Sequence, residues 1–70
     1  MSMPCAITLN GAPHPVAGVM PLDRLLESIR LAGKPVVVEL NEQAVFPRDY
    51  PRTLVEPGAR SEIVTLTAGG

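Results

Sequence analysis

The residues best placed to do chemistry in this 70-residue chain are its last two, Gly69-Gly70. Glycine has no Cβ, so two in succession let a backbone enter a narrow channel in almost any φ/ψ and come close to another protein's atoms. The terminal carboxylate is then sterically bare and open to activation by a second protein. A Gly-Gly ending arises by chance in about one chain in two hundred. The pair gains weight because a β-rich run, Ser61-Glu62-Ile63-Val64-Thr65-Leu66, leads up to it.

No other residues assemble a reactive centre. His14 is the only histidine and Cys5 the only cysteine. No Ser, Cys or Asp is placed by the sequence to work with His14, which reads as a surface residue. Cys5 has no Lys, Arg or His beside it to activate the thiol, and reads as a small hydrophobe. One cysteine excludes an intramolecular disulfide, and no second Cys or His pair offers a zinc site. With no acid–base pair, nucleophile constellation or phosphate loop, an independent enzyme is the weakest reading.

The elements that must position the terminus follow from periodicity. Residues 5–9 alternate, with Ile7 and Leu9 on one face, and Asn10-Gly11 is a strong two-residue hairpin signal. The return strand, residues 13–17, carries Pro13 and Pro15 two apart, which fits an edge strand whose alternate N–H groups need no partner. Leu22, Leu25, Leu26 and Ile29 recur at i, i+3, i+4 and i+7, predicting one helix over residues 21–33. Pro21 suits its first position, Gly33 the left-handed position after its end, and Met20 at the N-cap leaves its start weakly capped. Residues 36–40 read as a central strand and residues 44–46 as a short one. Residues 47–51 read as a single helical turn, residues 53–55 as a short extended piece, and residues 56–58 as a turn. Residues 61–66 form the last strand.

A hairpin, a crossover helix and further strands make an α+β domain, with a mixed four- to five-stranded sheet and one main helix packed on one face. Residues 1–66 form the domain and residues 67–70 a flexible diglycine tail. The other sheet face stays partly open, and Val37 with Val64 or Leu66 is expected to dock a partner there. Arg60 and Glu62 could make rim contacts, although a solvated charge is the blander reading of each. Six scattered basic residues and a formal net charge of −1 point away from nucleic acid, and no segment is long enough to span a bilayer. A reducing, cytoplasmic setting and a free monomer are expected.

The element order resembles the β-grasp, or ubiquitin-like, fold. Within that fold the run Val38-Glu39-Leu40-Asn41-Glu42-Gln43-Ala44-Val45-Phe46-Pro47-Arg48, the segment Glu62-Ile63-Val64-Thr65 and the Gly69-Gly70 end resemble the sulfur carriers of bacterial thiazole synthesis, the ThiS family. Ala59 departs from that pattern, which usually has Asp after the turn glycine. The resemblance implies a carrier rather than a catalyst, with no permanently bound cofactor. A ThiF-like adenylating enzyme would use ATP and magnesium to activate the Gly70 carboxylate. A cysteine desulfurase or other sulfur donor would convert it to a thiocarboxylate, and thiazole synthase would consume the sulfur in thiamine biosynthesis. Two alternatives share the tail: a carrier for molybdopterin or another sulfur-containing metabolite, and a ubiquitin-like modifier or binding module.

Overall fold

The computed structural model describes residues 5–66. Among the described residues seven strands, one α-helix and one 3₁₀ segment follow in the order β1 (Ala6–Leu9), β2 (Ala12–Pro15), β3 (Met20–Pro21), α1 (Leu22–Ser28), β4 (Val36–Leu40), β5 (Gln43–Val45), the 3₁₀ segment Pro47–Arg52, β6 (Leu54–Val55) and β7 (Arg60–Thr65). Five strands form one mixed sheet in the order β2-β1-β7-β4-β5, and β3 with β6 forms a separate two-stranded ribbon. Strand β7 lies at the centre, parallel to β1 and antiparallel to β4. This is the α+β architecture, and the five-stranded mixed sheet, that the periodicity predicts. Among the described residues no helix is long and apolar enough to cross a membrane.

Both hairpins turn on two residues with φ > 0. Asn10 and Gly11 (φ 51 and 83) join Leu9 to its register partner Ala12, and Asn41 and Glu42 (φ 52 and 70) join Leu40 to Gln43. Such turns match the right-handed twist of the flanking strands. Strand β2 is an edge, as expected, and the Val16 N–H donates to the Cys5 carbonyl at 3.0 Å. Counting back by twos, Pro15 and Pro13 then stand opposite Ala6 and Thr8, at positions where no ladder N–H is required.

Helix α1 is shorter than predicted, and both of its ends differ. Pro21 is the N-cap rather than the first helical residue, and Met20-Pro21 pairs with Leu54-Val55 as strand β3. No side chain caps the start; instead the Leu22 N–H donates to the Thr53 carbonyl at 2.7 Å. At the other end Arg30, not Gly33, takes the left-handed conformation (φ 64). The Leu31 N–H then bonds the Leu26 carbonyl at 2.8 Å and the Arg30 N–H bonds the Glu27 carbonyl at 3.1 Å. That paired closure is a Schellman turn, which normally favours glycine. The physical reason lies in the apolar stripe. It has no large member after Ile29, and the early stop brings Leu31 against the core instead. Gly33 (φ 75) serves the next turn, closed by Lys34 N–H on the Leu31 carbonyl.

The core joins Ile7, Val38 and Ile63 from the sheet's inner face to Leu22, Leu25 and Leu26 of α1, with Val55 and Ala59 beside them. Ala59 is buried there as an apolar residue, while its carbonyl accepts the Thr8 N–H at 2.9 Å. The helix therefore covers one sheet face, and the alternate residues of β4 and β7 are left facing outward.

Candidate docking face and carboxyl terminus

The site is built on β7, and two asparagines hold that strand. The Asn10 side-chain amide donates to the Ile63 carbonyl at 3.1 Å, and its oxygen accepts the Ile63 N–H at 2.7 Å. It therefore continues the β1–β7 ladder after the β1 backbone has turned away. On the other flank the Asn41 oxygen accepts the Arg60 N–H at 3.0 Å, and the Asn41 N–H donates to the Arg60 carbonyl at 2.7 Å. The Leu66 N–H donates to the Pro35 carbonyl at 2.8 Å, so sheet pairing runs one residue past the strand. The sequence reading gave neither asparagine this role. The available signal was the repetition of Leu-Asn at the end of two strands, Leu9-Asn10 and Leu40-Asn41.

Register decides which residues share the open face. Ser61 and Ile63 point into the core, which resolves the alternation left open in the sequence: Glu62, Val64 and Leu66 point out. Val37 lies directly opposite Val64, and the two are 46% and 59% exposed, with Leu66 at 52%. The β4–β5 register, Val38 opposite Val45, continues to set Phe46 beside Val37. Phe46, just past the end of β5, thus forms an apolar strip with Val37 of β4 and Val64 of β7 at the end of β7 where residues 67–70 begin. The Arg48 guanidinium lies 5.7 Å from the Phe46 ring centroid, a cation–π distance.

One row further from the tail, Glu39 stands directly opposite Glu62. Glu39, Glu42, Arg60 and Glu62 line a small depression there. Arg60 makes a 3.8 Å contact with Glu42, both side chains well exposed, so the pair contributes little. Arg60 begins β7, six residues before Leu66 and about 20 Å away along the strand. It therefore lies at the opposite end of the face from the tail. The sequence reading missed Glu39, because pairing across strands is invisible until the register is known.

Gly69 and Gly70 lie outside the described residues. Four residues after Leu66 reach at most ~14 Å at full extension, which bounds how far the last glycine can stand from the sheet. Among the described residues no group of three or more His, Cys, Asp and Glu could hold a metal ion.

The family model of the ThiS family matches residues 7–70. This chain belongs to the ThiS family. Its fold is similar to the crystal structure of the thiamine biosynthesis protein (ThiS) from Geobacter metallireducens, with a TM-score of 0.80 and 29% identity over 93% of this chain and 99% of that one. A solution NMR structure of a thiamine biosynthesis protein from Geobacter metallireducens matches with a TM-score of 0.76 and 29% identity, over 93% of this chain and 87% of that one. No curated protein matches. The ThiS assignment agrees with the resemblance carried by the Val38-to-Arg48 run, and the architecture is that of a ubiquitin-like β-grasp sulfur carrier.

Proposed function

We propose that this protein carries sulfur for thiazole formation in thiamine biosynthesis, as a co-substrate of other enzymes rather than a catalyst. The observation that carries this reading is the family match through residue 70, on a chain whose central strand ends at an open apolar face. A carboxylate is a poor electrophile until it gains a good leaving group. The adenylating partner, using ATP and magnesium, joins the Gly70 carboxylate to AMP with loss of pyrophosphate. The terminal sulfur of the donor's persulfide displaces AMP to give an acyl disulfide. A thiol reductant then cleaves its S–S bond, leaving the donor's sulfur as a thiol and the carrier as a thiocarboxylate, a soft nucleophile that thiazole synthase consumes. Gly69 and Gly70 present no side chain to the channel of the partner, and the apolar strip of Val37, Val64 and Leu66 rests on its surface.

The test is the intact mass of the protein after incubation with ATP, a cysteine-desulfurase sulfur source and the cognate adenylating enzyme, all in cytoplasm-like reducing buffer. The expected result is replacement of one oxygen by sulfur, absent when Gly70 is deleted. No mass change under conditions that load a control carrier would overturn the reading in favour of a ubiquitin-like binding module.

A further inference from the structure

Two carboxylates directly opposite each other on neighbouring strands repel, with Cβ atoms about 5 Å apart, and such like-charge pairs destabilise a sheet. Glu39 and Glu62 form such a pair on the open face, on the central strand β7 and its neighbour β4. Three ion pairs occur among the described residues, and none includes either of these glutamates. The nearest cation in sequence, Arg60, lines the same depression, but its one ion-pair contact among the described residues is the 3.8 Å approach to Glu42. Next to this pair, which has no ion-pair partner among the described residues, lies the Phe46–Val37–Val64 strip, and beyond the strip begins the four-residue tail.

From this arrangement, and resting on the carrier reading above, we infer that the adenylating partner seats a lysine or arginine between Glu39 and Glu62. The partner's contact surface then has a defined order. A cationic side chain sits about 7 Å, two residues along the strands, from an apolar patch that receives Val37, Val64 and Leu66. The mouth of the activating centre lies on the far side of that patch, within the ~14 Å that the tail can span. The apolar strip supplies most of the buried area, and the glutamate pair supplies register. A partner docked the other way round would lay the pair on apolar surface and leave two carboxylates desolvated without a counter-ion. A second copy of this chain is a poor occupant for the same reason, since stacking two such faces brings four carboxylates together.

The test is calorimetric titration of the intact protein into the purified cognate adenylating enzyme at several sodium chloride concentrations. Neutralising the pair (Glu39→Gln with Glu62→Gln) should raise Kd about tenfold and flatten its dependence on salt. Glu27→Gln, on the solvated side of α1, should leave both unchanged. The paired glutamine variant should melt no lower than the parent, since it removes a repulsion, so weakened binding could not be traced to unfolding. Unchanged Kd and salt dependence in that variant would overturn the inference. The two readings fail separately. If the parent gains sulfur and the variant binds equally well, only the cationic contact is wrong; if the parent gains none, the carrier reading itself falls.

Discussion

Asn10 holds β7 with both ends of its amide, so its removal strands two backbone groups of Ile63 in a partly buried place. Asn10→Ala should therefore cost about 2 kcal/mol, the usual penalty for leaving such groups unpaired. Asn41→Ala loses one bond at an exposed position and should cost about 1 kcal/mol. Urea unfolding midpoints would rank the two; equal losses would show that the amide bonds are not what separates them. Ser61 presents the opposite case. It is fully buried, and its Oγ has no hydrogen-bond partner among the described residues. Ser61→Ala should leave stability unchanged or raise it, because it removes a desolvated hydroxyl and breaks no bond seen here. A clear loss in the same unfolding series would mean that the hydroxyl has a partner after all.

At the scale of elements, the helix shows what periodicity can and cannot reveal. Leu22, Leu25 and Leu26 mark a buried stripe in the bare sequence, and all three are buried in the fold. The end of the helix was not legible, because it depends on Leu31 packing against the core and bonding back to Leu26, a tertiary demand met by Arg30 in a conformation that glycine prefers. Arg30→Gly should accordingly raise stability by about 0.5–1 kcal/mol, moving the melting temperature up by several degrees in a domain of this size. A lower melting temperature would indicate that the arginine side chain stabilises the turn by more than its backbone strains it. Of the β3–β6 ribbon only β6 was legible, as the extended piece at residues 53–55; β3 and the pairing were not, because two residues per strand carry no period at all. The open face was legible by residue type, in Val37, Val64 and Leu66. Its acidic row was not, since Glu39 and Glu62 lie 23 positions apart and meet only through the register.

For the molecule as a whole, the single tyrosine reports on folding. Tyr50, in the 3₁₀ segment, is half-buried against the core, and burial pushes its phenol above the ordinary value of 10.0. A raised value means that the fold favours the neutral phenol. The stabilisation is therefore fully present below pH 10.0 and is lost as pH rises through the higher folded value. Absorbance titration, which sees this one tyrosine alone, should show a midpoint above that of the unfolded chain. Tyr50→Phe should remove that part of the alkaline loss of stability, whereas an unchanged alkaline limb would assign the loss to other groups.

The amide of Asn10 also bears on how the protein ages. An Asn-Gly step is the peptide sequence most prone to lose ammonia, because the following glycine nitrogen can swing onto the side-chain carbonyl carbon and close a ring. Here that carbonyl is tied to the Ile63 N–H, and Asn10 and Gly11 are both locked in a turn with φ > 0. The fold thus guards its own weakest bond, and damage should accumulate only as fast as the chain unfolds. Ring opening would leave an aspartate or isoaspartate, deprive the Ile63 carbonyl of its donor, and loosen the strand that leads to residues 67–70. Stored material should lose sulfur-loading competence in step with deamidation at this one position, at a rate that follows unfolding rather than time at neutral pH.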